Sequence, residues 1–358
     1  MDDLYESYLK SQSEISDTTE NESESFYYSV TSYGADYSAE LLVNKLRREQ
    51  IFIPSFQRRY VWDEKKASRF IESLLLGLPV PGIFLSQESE TNRLLIVDGQ
   101  QRLMSLYKFY EGRFDENKVF KLKGVAKDFE GKTYKELKQS DRFRLDDSTL
   151  HATVIKQDKP TEDDSSIYMV FERLNTGGMP LQAQEIRACI YYGSFNDLLS
   201  KLIKNTLWRS LFSKENPRMK EQELILRYFT FLYESDNYKK GFKTFMNSFM
   251  SRNRSLELYS EKELTEKFEG CINIIIEVIG RNSFKIGRQL NAAIFDSVMI
   301  GVSRRIQSKK GINKAKLLAQ YNSLLQNSDY LSYVSKSTSS EKSVKGRIEL
   351  ATSYFSEI

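Results

Sequence analysis

Histidine and cysteine are scarce in this sequence, which excludes several kinds of catalytic and metal centre. The 358 residues include one histidine, His151, and two cysteines, Cys189 and Cys271. A single histidine excludes mechanisms and metal sites that need two, and the widely separated cysteines form no metal-binding or redox motif. We interpret both cysteines as buried thiols of a reduced, cytoplasmic protein. For His151 two interpretations stay open, a structural strand residue and a general base.

Long apolar runs are also absent. No run approaches the roughly 18 apolar residues that a membrane helix needs, and the N-terminus is acidic, unlike that of a signal peptide. The P-loop, the GxSxG elbow and the HExxH motif do not occur either. We therefore expect no membrane partner, and a function that does not depend on these common motifs.

Charge is distributed unevenly along the chain. Residues 1–40 contain ten acidic side chains and one lysine, whereas the remaining residues carry 52 basic and 39 acidic side chains, a net charge of +13. Residues 11–25 are polar, acidic and without periodicity, so we expect residues 1–37 to form a disordered arm. A basic body suits nucleic acid or nucleotide phosphates, and a mixed, solvated surface is the alternative.

Residues 38–195 mix short strands with helices. Asp63 is placed to cap a helix, and the apolar runs 93–97 and 151–157 predict strands. Residues 167–175 are apolar enough for a helix or a strand, and their periodicity does not separate the two. We expect these residues to form a mixed α/β domain.

Residues 196–358 differ from the preceding part because strand patterns nearly vanish. Their apolar residues recur at the 3.6-residue period of amphipathic helices, and these stripes can pack together. The sequence therefore predicts an α+β protein with three parts: the arm at 1–37, a mixed α/β domain at 38–195 and an all-helical domain at 196–358.

The stretch LLIVDGQQRLMSLYKFYEG, residues 94–112, changes from a strand pattern to a helix pattern at five polar or small residues. Gly99 permits close backbone approach, the amides of Gln100 and Gln101 can donate hydrogen bonds, and Arg102 can hold phosphate oxygens in a bidentate fork. The helix N-terminus favours an anion, and Asp98 can bind a divalent cation or orient a water. The alternative is an ordinary loop in which Asp98 caps the helix.

Two further stretches contain residues of similar chemistry. IPSFQRRYVW, residues 53–62, combines paired arginines with flat aromatic side chains, which suits a nucleotide or an unstacked base. Alternatively, its aromatic residues belong to the core. FERLNTGGMPLQAQEIR, residues 171–187, offers Glu172 and Asn175 to a neighbouring site, and turn formation with helix capping explains it equally well.

Taken in order with IESLLLGLPVPGIFL, these motifs resemble the N-terminal domain of the GmrSD-type restriction endonucleases. The resemblance spans about residues 38–215 and implies a ParB/sulfiredoxin-like core that binds and hydrolyses a nucleoside triphosphate in bacterial defence against foreign or modified DNA. A sulfiredoxin-like activity needs a reactive cysteine in the loop, where this sequence has Gln100 and Gln101. We therefore expect nucleotide chemistry and not sulfiredoxin chemistry.

The resemblance implies roles for individual residues. Asp98, Gln101 and Arg102 become the catalytic candidates of the phosphate loop, and Asp98 and Glu172 are candidate Mg²⁺ ligands. The remaining nucleotide-binding candidates are Pro54, Gln57, Arg58, Gly99, Gln100, Glu172, Arg173, Asn175, Gly177 and Gly178. We expect a nucleoside triphosphate and Mg²⁺ as ligands, and DNA as a partner.

One departure from the family concerns its effector. Many members add a nuclease domain of the His-Asn-His type, which needs at least two histidines. With His151 alone, we expect no such nuclease in this chain and a possible partner nuclease or defence subunit in another. Two functions stay open: a nucleoside triphosphatase, and a nucleotide-gated module that binds DNA or a partner without significant turnover.

Overall fold

The computed structural model describes residues 15–16, 29–53, 60–88, 91–159, 165–174, 181–212, 216, 218–239, 241–287, 289–308, 311–356 and 358. These residues divide into two compact units. The α/β unit contains residues 27–181 and 188–190, and the helical unit contains residues 182–187 and 191–358 together with Ile15–Ser16. The predicted fold class, a mixed α/β region followed by a helical region, is confirmed.

Short strands form three sheets among the described residues. The strands are β1 (Ile15–Ser16), β2 (Ser29–Ser38), β3 (Ile51–Phe52), β4 (Ile83–Gln87), β5 (Leu94–Asp98), β6 (Arg113–Asp115), β7 (Lys118–Val119), β8 (Thr149–Lys159), β9 (Lys285–Ile286) and β10 (Gln289–Asn291). The largest sheet has the order β2-β8-β4-β5-β3. Strand β4 runs parallel to β8 and antiparallel to β5, and β2 runs antiparallel to β8.

Helices make up most of the remaining described structure. Those of the first part of the chain are α1 (Ala39–Arg47), α2 (Glu64–Leu75), α3 (Gln100–Glu111), α4 (Gln139–Asp146), α5 (Ser165–Leu174) and α6 (Ala183–Ile190). They are followed by α7 (Ser194–Leu202), α8 (Thr206–Arg209), α9 (Lys220–Glu234), α10 (Phe242–Arg252), α11 (Glu261–Val278), α12 (Ala292–Gln307), α13 (Lys314–Leu324), α14 (Ser328–Ser335) and α15 (Glu341–Phe355).

The core of the α/β unit lies between its sheet and helices α1 to α4. Alternate residues of β8 (Leu150, Ala152 and Val154) are fully buried in this core, as is Leu85 of β4. The helices begin where the sequence offers caps: Asp63 Oδ1 accepts a hydrogen bond from the Lys66 N–H at 2.7 Å, as predicted. Because side chains alternate along a strand, the residues between these buried ones lie on the opposite face of the sheet.

Two sequence-based interpretations change in this unit. Residues 29–37, predicted to belong to a disordered arm, form most of strand β2, which pairs along its length with β8. The backbone hydrogen bonds of this ladder order a segment whose composition alone favoured disorder. The ambiguous apolar segment 167–175 is helical through Leu174. The domain boundaries at 37/38 and 195/196 themselves stay predictions.

Helix α12 forms the centre of the helical unit. Every residue from Ala292 to Ser303 is buried, and α12 packs against α9, α11 and α15. Helix α15 approaches closely because Gly301 has no side chain: a Cβ there would lie 2.9 Å from the backbone of Ala351. The unit also contains the short strands β9 and β10, so it is not purely helical. Among the described residues, no helix is both long and apolar enough to span a membrane.

A buried ionic cluster joins three helices of this unit. Asp296 of α12 accepts hydrogen bonds from Arg227 of α9 at 2.6 Å and from Arg347 of α15 at 3.1 Å, and all three side chains are almost completely buried. Removing one partner of a buried ion pair leaves an uncompensated charge that costs several kcal/mol. The cluster therefore makes the packing of the three helices depend on one carboxylate.

We expect Asp296→Asn to lower the free energy of unfolding of the helical unit by about 3–5 kcal/mol, because two buried guanidinium groups lose their counter-charge. The measurement is urea unfolding followed by the fluorescence of Trp208, which is buried against Phe268 and Phe295, in a Trp62→Phe background. The control Glu341→Gln, which breaks an exposed pair with Lys345, should leave the transition unchanged. A similar small effect in both variants would contradict a supporting role for the cluster.

Candidate functional site

The candidate site is the corner at which β5 passes into α3. Gly99 stands between the two elements with φ of 99°, in the left-handed region that favours glycine. A Cβ at this position would lie 2.5 Å from Cγ2 of Ile83 at the start of β4. Both the backbone conformation and the space around it therefore require glycine, and the β5–α3 turn packs directly on the neighbouring strand.

The N-terminus of α3 receives no side-chain cap. Gly99 is the N-cap residue, its carbonyl accepts the first helical hydrogen bond from Leu103 N–H at 3.0 Å, and no acidic residue occupies the first turn. The alternative in which Asp98 caps the helix is therefore wrong. The first-turn N–H groups of a helix have no acceptor within the helix, and together with the helix dipole they favour an anion.

Arg102 and Asp98 form an ion pair across this turn. Arg102 Nη2 donates a hydrogen bond to Asp98 Oδ2 at 2.8 Å. The arginine side chain is 15% exposed and the aspartate side chain 47%, so the carboxylate faces solvent more than its partner does. Arg102 Nε is buried and has no hydrogen-bond partner among the described residues. The guanidinium thus retains donors beyond the one that Asp98 engages.

Gln101 ties a second segment to the corner. Its Oε1 accepts hydrogen bonds from the backbone N–H groups of Val61 at 2.9 Å and Trp62 at 3.1 Å. Because the carbonyl oxygen is engaged, the Nε2 group is the part of this amide that can donate to a ligand. Gln101 therefore positions residues 61 and 62, a role that the sequence analysis did not assign to it.

Further contacts with the segment before α2 come from the face of α3 that carries Gln101. Ser105 Oγ donates to the Gln101 carbonyl at 2.7 Å, so Tyr60 O–H is the donor in the 2.8 Å bond that it shares with Ser105 Oγ. Burial raises the pKa of Tyr60 to about 12. Lys108 Nζ lies 4.6 Å from the centroid of the Tyr60 ring, and burial lowers the pKa of this lysine. The sequence analysis missed Ser105 and Lys108, although their spacing from Gln101 (i+4 and i+7) marks one helix face.

The aromatic residues at 60 and 62 pack as core residues. Tyr60 and Trp62 are half-buried against the core of the α/β unit, and Trp62 contacts Phe70 edge to face with ring centroids 5.9 Å apart. For these two residues the structure favours the core interpretation over base stacking. Pro54, Gln57 and Arg58 of the same motif lie outside the described residues.

The third motif is described only in part. Glu172 and Arg173 lie near the end of α5, and both are exposed. Helix α5 packs against β5, the strand that ends in Asp98, and against β8. Asn175, Gly177 and Gly178 lie outside the described residues. The structure thus brings residues 98–102 together and places Glu172 and Arg173 on a neighbouring helix.

The metal prediction rests on Asp98 and Glu172. Among the residues that the structure describes, no group of three or more histidine, cysteine, aspartate or glutamate side chains could hold a metal ion. Mg²⁺ is commonly bound by one or two carboxylates together with substrate phosphates, and such a site does not form a cluster of this size. The prediction of Mg²⁺ therefore stays open.

These features define a mixed α/β domain in which a strand–glycine–helix corner carries an aspartate and an arginine. Residues 39–192 match the family model described as "GmrSD restriction endonuclease, N-terminal domain", so this part of the chain is similar to that domain. The match confirms the resemblance over residues 39–192 and suggests a restriction-type role in defence. No curated protein matches the chain significantly.

The packing of Gly99 on Ile83 can be tested by comparing two glycines at the ends of α3. Gly99→Ala should destabilise β4 and β5 by about 1–3 kcal/mol more than Gly112→Ala, because it adds a steric clash to the same left-handed strain. Gly112 has φ of 73°, and no atom lies within 4 Å of a Cβ added there, which makes it a matched control. Hydrogen exchange of peptides from both strands measures the difference, and equal losses would contradict the constraint.

The role of Gln101 can be tested through the amides that it binds. We expect Gln101→Ala to accelerate hydrogen exchange at Val61 and Trp62 about 5- to 30-fold, because two hydrogen bonds of about 1 kcal/mol each are lost. Gln101→Glu keeps an acceptor oxygen and should retain most of the protection. Unchanged exchange in Gln101→Ala would show that other contacts hold this segment.

Proposed function

We propose that this chain binds a nucleoside triphosphate at the corner between β5 and α3 and hydrolyses it. The hydrolysis would serve a bacterial restriction-type defence system that acts on DNA or senses it. The observation that supports this proposal most directly is that the N-terminus of α3 has no side-chain cap and lies beside Arg102, at a turn that Gly99 allows to pack against Ile83. The family match adds the restriction-type context.

The corner supplies the groups that a triphosphate needs. The N–H groups of the first turn of α3 face the phosphates, and the Arg102 guanidinium adds a fork of charged donors. Gln100 and the Nε2 group of Gln101 contribute neutral donors. Phosphoryl transfer depends mostly on positioning and on neutralising charge, and these residue types provide both.

The Asp98 carboxylate, which is paired with Arg102, is a group that a bound nucleotide can displace from the arginine. The carboxylate engages Arg102 Nη2 at 2.8 Å. In our proposal the phosphates compete for the guanidinium, and the released carboxylate would be available to hold Mg²⁺ or to orient the attacking water. Glu172 is the second residue that would hold Mg²⁺, and the ion would supply positive charge to neutralise the phosphates.

The remaining predicted residues belong to the same proposal. Arg173 would add positive charge near the phosphates. The other nucleotide-binding candidates, proposed from the family resemblance, are Pro54, Gln57, Arg58, Asn175, Gly177 and Gly178.

A second candidate function differs from the first in that the bound nucleotide is not significantly hydrolysed. In this alternative, the nucleotide gates binding of DNA or of a partner subunit without significant hydrolysis. The net charge of +13 outside residues 1–40 favours a nucleic-acid ligand, because basic side chains release counterions from the phosphate backbone. A nuclease or another defence subunit in a separate chain would then supply the effector.

Arg102→Ala tests whether Arg102 binds the phosphates. We expect it to weaken nucleoside triphosphate binding about 10- to 100-fold, because a hydrogen-bonded charge contributes about 1.5–3 kcal/mol. Arg113→Ala removes the same charge just beyond the opposite end of α3, about 16 Å from Arg102 along the helix axis at 1.5 Å per residue, and should leave binding unchanged. Isothermal titration with each of the four triphosphates and Mg²⁺ provides the measurement. Equal affinities in both variants would contradict the proposal.

Phosphate release separates the two functions. The nucleoside triphosphatase predicts release by the unaltered chain, with or without DNA, and none above background in Arg102→Ala. The gated module predicts nucleotide binding and salt-sensitive DNA binding without release. The charge-conserving variant Arg102→Lys should restore less than half of the lost affinity, since an ammonium lacks the planar fork.

A further inference from the structure

His151 and Asp36 face each other across strands β8 and β2. The two residues are register partners, and His151 Nδ1 lies 2.9 Å from Asp36 Oδ1. Their side chains are 60% and 69% exposed, so this pair contributes little to the core. A carboxylate that binds one imidazole nitrogen fixes the orientation of the ring and presents the other nitrogen, Nε2, outward.

Two glycines make room for this histidine. A Cβ at Gly34 would lie 2.8 Å from His151 Cε1, and a Cβ at Gly82 would lie 2.8 Å from the His151 carbonyl oxygen. Neither glycine has a positive φ, so the backbone conformation would accept other residues and the requirement is for space. The imidazole therefore occupies a space on β2 that a larger residue at position 34 would fill.

The pair lies at the same end of the sheet as the phosphate corner. Phe84 of β4 is the register partner both of Asp98, which ends β5, and of Thr153 in β8. His151 is two residues from Thr153 along β8. With about 4.8 Å between strands and about 3.3 Å per residue, the backbones of Asp98 and His151 are about 12 Å apart.

The surface between the two positions is partly buried, since helix α5 packs against β5 and β8, and His151 lies where it is exposed. Leu150, Ala152 and Val154 point into the core, so His151 and Thr153 lie on the opposite face of β8. Thr153 and Phe84 are half-buried, and His151 is exposed.

We propose that His151, oriented by Asp36, contacts the nucleoside part of the bound nucleotide and helps to select it. The proposal rests on the proposed function, since it needs a triphosphate at the corner. When neutral imidazole donates its Nδ1–H to Asp36, Nε2 is an acceptor. An acceptor beside a carboxylate disfavours phosphate and suits an N–H of a base or a ribose hydroxyl. In this arrangement the phosphates lie at residues 99–102 and the nucleoside lies toward His151.

Comparing a nucleoside triphosphate with inorganic triphosphate tests this arrangement. We expect His151→Ala to weaken binding of the preferred nucleoside triphosphate about tenfold, as for the loss of one good hydrogen bond, and to leave binding of inorganic triphosphate unchanged. Arg102→Ala should weaken both ligands. If the unaltered chain binds neither ligand, the proposed function fails. If it binds the nucleotide and His151→Ala affects both ligands equally or neither, this inference alone is overturned.

The single histidine allows a readout that is independent of affinity. Diethyl pyrocarbonate acylates an accessible imidazole, and in this chain His151 is the only one. The nucleoside triphosphate should slow this modification, and inorganic triphosphate at equal occupancy should not. Equal protection by both ligands, or none by either, would overturn the contact.

A glycine variant tests whether the position of the His151 ring matters in addition to the presence of the histidine. Gly34→Ala keeps His151 but displaces its ring, and we expect it to reproduce the tenfold loss for the nucleoside triphosphate. Gly270→Ala is the matched control, because Gly270 lies in α11 with ordinary φ and no atom within 4 Å of an added Cβ. Full affinity in Gly34→Ala would contradict the need for an oriented imidazole.

Discussion

The contact between Gly99 and Ile83 is the constraint on which the candidate site depends. The β5–α3 turn passes so close to the start of β4 that no side chain fits at position 99, and its backbone is left-handed. This close approach fixes where α3 begins, and with it the direction of the first-turn N–H groups and the position of Arg102. The same turn keeps Asp98 within hydrogen-bond reach of that arginine.

Helix α3 then connects the corner to the rest of the α/β unit. Gln101 holds the backbone of Val61 and Trp62, and Ser105 binds Tyr60. These bonds tie the segment before α2 to the first turns of α3, while Leu103 and Leu106 bury the opposite side of α3 in the core. Helix α3 thus has a polar face that positions a neighbouring segment and an apolar face that anchors the helix in the core. Because one short helix has both faces, the geometry of the corner is coupled to the stability of the domain.

The helical unit is stabilised in a different way. Its central helix α12 is buried along most of its length, and the carboxylate of Asp296 balances the guanidinium groups of Arg227 and Arg347 within that core. Buried ion pairs contribute little net stability compared with apolar packing, but breaking one is costly. The arrangement therefore favours one packing of α9, α12 and α15 over alternatives.

The sequence by itself determined the local elements and predicted a candidate site at the corner. Apolar periodicity predicted β5, α3 and the helical second half, and Asp63 predicted the start of α2. Gly99 and Arg102 predicted a turn that favours an anion. Each of these predictions depends on residues only a few positions apart in the sequence. Only the tertiary structure decided that residues 29–37 form a strand, that 167–174 is helical, that Asp98 pairs with Arg102 and does not cap α3, and that Asp36 meets His151. Each of these depends on a partner strand or on competition between nearby hydrogen bonds, and sequence spacing does not record such contacts between distant residues.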